Sequence, residues 1–74
     1  MAALEIRSDI AAAVSLVLVA PDAQVRAGDE LIILESMKME VPVTAPGPAR
    51  VSELLVSVGQ PVKEGQLLLR LDVG

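Results

Sequence analysis

The sequence predicts an all-β fold, either two small sheets packed face to face or a flattened barrel. Three observations lead there. The chain is 53% hydrophobic yet has no Phe, Trp or Tyr, so its core must come from Val, Leu, Ile, Ala and Met. Aliphatic and β-branched cores of that kind suit packed strands. Five prolines and five glycines spread along 74 residues leave little room for a helix of about ten residues or more. Finally, the chain nearly repeats itself at an offset of 37 positions, the separation of Val14 from Val51. Two copies are too few for a repeat array, and they point instead to a pseudo-twofold domain in which each half covers the other's apolar face. Residues 1–74 are read as one domain, of a size that buries roughly 60% of its unfolded surface.

Each half reads as strand, turn, short strand, turn, strand. The run from Ile10 to Ala20 is too short to span a bilayer. It is preceded by Glu5, Arg7 and Asp9 instead of a basic segment, which argues against a signal peptide. It reads as a buried strand of a cytoplasmic protein. Its Val14, Ser15, Leu18 and Val19 align with Val51, Ser52, Leu55 and Val56. The turns at Pro21-Asp22 and Gly59-Gln60 align next, and Asp tolerates the left-handed region better than most residues. The turns V-R-A-G-D and V-K-E-G-Q follow, where Gly28 and Gly65 permit positive φ. Leu31, Leu34 and Glu35 then align with Leu68, Leu71 and Asp72. The cluster Thr44 to Ala49 reads as a turn feeding the next strand, because apolar segments flank it closely.

Composition removes several function classes. Six basic residues against ten acidic ones give a net charge of −4, the opposite of the basic patch that nucleic-acid binding requires. Without Cys or His, no zinc site, thiol nucleophile or imidazole base is available. There is no phosphate-cradling glycine loop either, so no catalytic residue is assigned.

The feature left to explain is E-S-M-K-M-E, Glu35 to Glu40, which falls at the seam between the halves. Strands ending in L-I-I-L-E-S and starting M-E-V-P-V imply a hairpin with Lys38 at or beside its tip. No Gly or Asn-Gly is present, so the preferred two-residue turn is not signalled. At a tip no core lies beneath Met37 and Met39, and at least one should be exposed. A nucleophilic lysine needs burial or a cationic neighbour, whereas Lys38 is flanked by Glu35 and Glu40. Lys38 therefore reads as the acceptor of a modification made by another enzyme.

M-K-M within this run, followed by V-P-V-T-A-P, resembles the attachment motif of biotinyl domains, the biotin carboxyl carrier proteins of biotin-dependent carboxylases. The resemblance extends over nearly the whole chain, through G-D-x-L before the motif and V-x-x-G-Q-x-L near the end. It implies a flattened barrel of two four-stranded antiparallel sheets with the attachment hairpin at 35–40. It implies covalent biotin on Lys38, joined by a biotin protein ligase, with Met37 and Met39 as flanking recognition residues and Glu35 and Glu40 as candidate ligase contacts. The carrier, itself no enzyme and a monomer when free, would shuttle CO2 as carboxybiotin between biotin carboxylase and carboxyltransferase sites. The final acceptor is the choice of the carboxyltransferase. The alternatives are a lipoyl-type carrier, against which the two methionines argue since lipoyl domains typically carry D-K-A, and an unmodified β-sheet interaction module. Three departures stand out. Ser8-Asp9 replaces the family's Ala-Pro, Ala49 stands where glycine is frequent, and Val19 to Asp22 is too short for a protruding thumb.

Overall fold

The computed structural model describes residues 2–73 and contains only strands and turns. The strands are β1 (Ala2–Arg7), β2 (Ala12–Val17), β3 (Gln24–Val25), β4 (Glu30–Ser36), β5 (Met39–Thr44), β6 (Ala49–Leu54), β7 (Pro61–Val62) and β8 (Leu67–Val73). They form two four-stranded antiparallel sheets, ordered β1-β8-β6-β3 and β5-β4-β2-β7. The periodicity gave three strands per half. A fourth strand lies at an open edge of each sheet, β5 being the M-E-V-P-V strand of the hairpin and β1 its counterpart, which the periodicity did not give; the two four-stranded sheets are those the resemblance implies.

The repeat is carried into the backbone hydrogen bonds. Adding 37 to each residue of β1 to β4 gives β5 to β8, and the pairing registers correspond residue by residue. The aligned serines, Ser15 and Ser52, sit where the register shifts, between Val14 and Leu16 and between Val51 and Glu53. One extra residue at each place bends the strand and sharpens its twist, which helps each small sheet to wrap the shared core. Asp22 and Gly59 both have positive φ, as do Gly28 and Gly65. Each member of the first pair donates its N–H to the carbonyl of a twofold-related valine, Val51 or Val14.

The core lies between the inner faces. It is built from Val14, Val25, Leu31, Ile32 and Leu34 with their counterparts Val51, Val62, Leu68, Leu69 and Leu71, closed by Ala45 and Val56. The run from Ile10 to Ala20 is less buried than expected. Only Val14 within it is fully enclosed, and Leu16 and Leu18 are among the exposed large side chains. The reason is that β2 has the core on one side only, so alternate residues face outward. The Thr44–Ala49 cluster is the short turn into β6. Ser8-Asp9 leaves the local geometry intact. Ser8 is buried like its counterpart Ala45, and the Gly65 N–H bonds the Ser8 carbonyl as the Gly28 N–H bonds that of Ala45. The Ser8 hydroxyl donates to the Ile10 carbonyl at 2.5 Å, so the buried oxygen is satisfied.

The outer faces differ. On the β1-β8-β6-β3 sheet, Arg70 bridges Glu5 and Glu53, and Arg50 bridges Asp22 and Asp72. A hydrogen bond from Arg7 and the charges of Arg7 and Arg70 hold the Glu5 carboxyl below its usual range. The other outer face has no ion pair among its described residues.

Candidate functional site

The register of β4 with β5 brings Ser36 opposite Met39, leaving Met37 and Lys38 as the two loop residues of the hairpin. Their φ values are 52° and 66°, the sign pattern of the type I′ turn whose twist matches that of the strands it joins. The sequence did not signal such a turn, because Asn-Gly ordinarily supplies its conformation. Left-handed backbone costs a non-glycine residue roughly 1–2 kcal/mol. The β4–β5 ladder and the core beneath Leu34 and Val41 override that local preference.

This backbone places the side chains. Met37 is 93% exposed and Met39 66% exposed, so both thioethers face water. Lys38 is exposed, and no ion pair or side-chain hydrogen bond among the described residues involves it. Glu35 and Glu40 are directly opposed on β4 and β5, and like charges in that relation destabilise a sheet. They form an acidic band just below the lysine. All five residues singled out in the sequence are thus brought into one hairpin. What sequence reasoning missed is that Glu35 and Glu40 are cross-strand partners, although a two-residue loop at Met37-Lys38 would have implied it.

The tip is anchored at its base, where the Ser36 hydroxyl donates to the Ala11 carbonyl at 3.2 Å. Ala11 lies on the link from β1 to β2, so the Arg7 end of β1 is at the tip's pole. Ala2, at the other end of that six-residue strand, lies roughly 17 Å away and is paired with Val73. The paired Ala2 and Val73 and the tip therefore occupy opposite poles. Lys63, the other lysine, lies in the turn after β7 and not on a hairpin tip.

Chemically, the tip offers an amine in water, fixed in position by a rigid sheet, between two apolar, polarisable side chains. Lys38 borders neither the cleft of about 290 Å³ between the edges of β1 and β5 nor the groove along β3, β6 and β8. Among the described residues no acidic cluster could hold a metal ion. Such a site suits a group attached covalently by another protein.

Comparison with known proteins gives the same picture. A family model described as "Biotin-requiring enzyme" matches residues 5–71. A biotinylated protein TB7.3 homolog of Mycobacterium leprae is 44% identical over 64 residues, spanning 86% of this chain and 90% of the relative. The biotin carboxyl carrier protein of acetyl-CoA carboxylase from Solanum lycopersicum is 44% identical over 55 residues, spanning 74% and 79%. A solved single-chain, multi-domain long-chain acyl-CoA carboxylase superposes with a TM-score of 0.90 at 34% identity. That match takes in 95% of this chain but only 7% of the larger one.

Proposed function

The chain belongs to the family of biotin-requiring enzymes, and from that premise we propose that it acts as a biotin carboxyl carrier with Lys38 as the attachment point. The observation that carries the assignment of the residue is the hairpin tip. Two successive positive φ values hold Lys38 in water between exposed Met37 and Met39, with no competing ionic partner among the described residues.

Lys38 has neither the burial nor the cationic neighbour that activates a lysine nucleophile, so it needs an activated acyl donor and a base, both supplied by a biotin protein ligase. With its proton removed on that enzyme, Nζ of Lys38 forms the amide bond to the acyl carbon of biotinyl-adenylate. The acyl C–O bond breaks, and AMP leaves with the electron pair. When bound, biotin supplies a nitrogen that carries an activated carboxyl group from a biotin carboxylase to a carboxyltransferase. The chain's own contribution is positional. The sheet fixes the root of the arm, and the tether replaces a bimolecular encounter by one at high effective concentration. Met37 and Met39 give partners an apolar surface on both sides of the arm. On this reading the carrier works in the cytoplasm beside its ATP-dependent partners and is not itself catalytic.

The test is co-expression with a biotin protein ligase, followed by a streptavidin blot and intact-mass measurement of wild type, Lys38→Arg and Lys63→Arg. The expected outcome is one biotin on wild type and on Lys63→Arg, and none on Lys38→Arg. Biotin retained by Lys38→Arg, or a lipoyl adduct in its place, would overturn the assignment.

A further inference from the structure

The two outer sheet faces share a backbone but not a chemistry. On one, Glu5, Arg70 and Glu53 stand opposite each other in a row across β1, β8 and β6, held by ion pairs. The twofold-equivalent row across β5, β4 and β2 is Pro42, Ile33 and Leu16. Ile33 lies outside the internal core cluster and is only 8% exposed, while Leu16 beside it is 49% exposed. The next row toward the tip is Glu40, Glu35 and Ala13. From Ser36 at the base of the turn to Ile33 is three residues along β4, about 10 Å. One side of the hairpin thus carries an apolar row, then an acidic row, then the lysine.

The geometry points to this face as the docking surface for the biotin protein ligase that acts on Lys38, with an apolar patch of the enzyme against the exposed Leu16 and Pro42, which flank the buried Ile33, and lysine or arginine residues against Glu35 and Glu40. The inference rests on the carrier reading above. Two observations select this occupant. Before modification the acceptor extends beyond the turn by no more than its own side chain, so an enzyme that acylates Nζ must come against the body of the hairpin. Enzymes visited afterwards meet a longer arm and can work from farther away. Charge makes the second argument. Glu35 and Glu40 have no cationic partner among the described residues, so a basic rim on the enzyme completes them. A second copy of this chain would bring the same acids and a net charge of −4, with no such complement.

The test transplants the other sheet's row, by Leu16→Glu, Ile33→Arg and Pro42→Glu together. The equivalent backbone already carries these three residues, and circular dichroism checks the fold. Steady-state biotinylation by purified biotin protein ligase, with biotin and MgATP, is followed over a range of carrier concentrations. The expected result is a fall in kcat/KM of about tenfold or more, the consequence of losing roughly 1.4 kcal/mol of contact. It should arise through KM, with kcat at saturating carrier near that of wild type. Glu53→Ala, on the other face, should leave kcat/KM unchanged. A folded triple variant modified at wild-type kcat/KM would overturn the inference. So would sedimentation showing a wild-type dimer that the triple variant dissolves, since the face would then belong to a second copy. If the triple variant does not fold, Leu16→Glu alone decides, with an unchanged kcat/KM counting against docking. Wild-type protein that takes no biotin at all would defeat the carrier reading itself, which separates the two failures.

Discussion

The two halves of this chain are the same backbone used twice, and their difference shows what the sequence adds to a fold. One sheet has an outer face cross-linked by Arg50 and Arg70 to four carboxylates. Its twofold mate has Leu16, Ile33 and Pro42 there and presents the strained turn at Met37 and Lys38. Structure is symmetric at the level of strands and hydrogen bonds, where the core demands it. The strongest asymmetry lies on the outer faces and at the hairpin that carries Lys38.

The largest effects should fall where the halves are alike. Leu34 and Leu71 are enclosed counterparts, so Leu34→Ala and Leu71→Ala should each cost about 2–5 kcal/mol. In urea unfolding the two should agree within about 1 kcal/mol, and a larger gap would break the equivalence of the halves. Next come the unlike counterparts Ile33 and Arg70. Ile33→Ala should cost about 2 kcal/mol at any ionic strength. Arg70→Ala should cost under about 1 kcal/mol, fading in high salt. The tip comes third. Met37→Asn with Lys38→Gly gives the turn the residues it ordinarily uses, and should raise stability by about 1 kcal/mol while removing the lysine. A loss of stability would show that the turn is not strained.

The smallest effect concerns pH. Glu5 is held below its ordinary value of 4.5 by Arg7 and Arg70, so the folded state binds fewer protons than the unfolded one as this group titrates. Its contribution is full above that value and is lost as the pH falls through the lowered folded pKa. Glu5→Gln should flatten that part of the stability profile in acid titrations followed by circular dichroism.

Much of this was legible beforehand because the core is written twice. Val14 and Val51, or Leu34 and Leu71, announce the twofold, and Gly28 and Gly65 mark the same turn in each half. The edge strand β1 escaped notice for a physical reason. An edge strand pairs with one neighbour only, so Ala2–Arg7 and Met39–Thr44 share no identical residue at equivalent positions, only the aliphatic character of Leu4 with Val41 and Ile6 with Val43, and β5 was read from the hairpin. Lys38 was legible from its flanking methionines, but its backbone was not. Local preference at Met37 and Lys38 argues against the turn that the β4–β5 ladder imposes. The contrast between the outer faces was present at the same offset, in Leu16 against Glu53 and Ile33 against Arg70. It gained meaning only when the register placed those residues in rows.

The separation of Lys38 from the paired Ala2 and Val73 has a mechanical consequence. The body measures 36 × 18 × 17 Å, and any polypeptide fused at either end departs from the pole remote from the lysine. Such a junction would also serve as a second pivot, letting the rigid barrel swing as a lever and adding its own long dimension to the reach of the Lys38 side chain. Bodies of this kind occur both as most of a short protein, the TB7.3 homolog, of which this chain matches 90%, and as a small part of a long multi-domain carboxylase, of which it matches 7%.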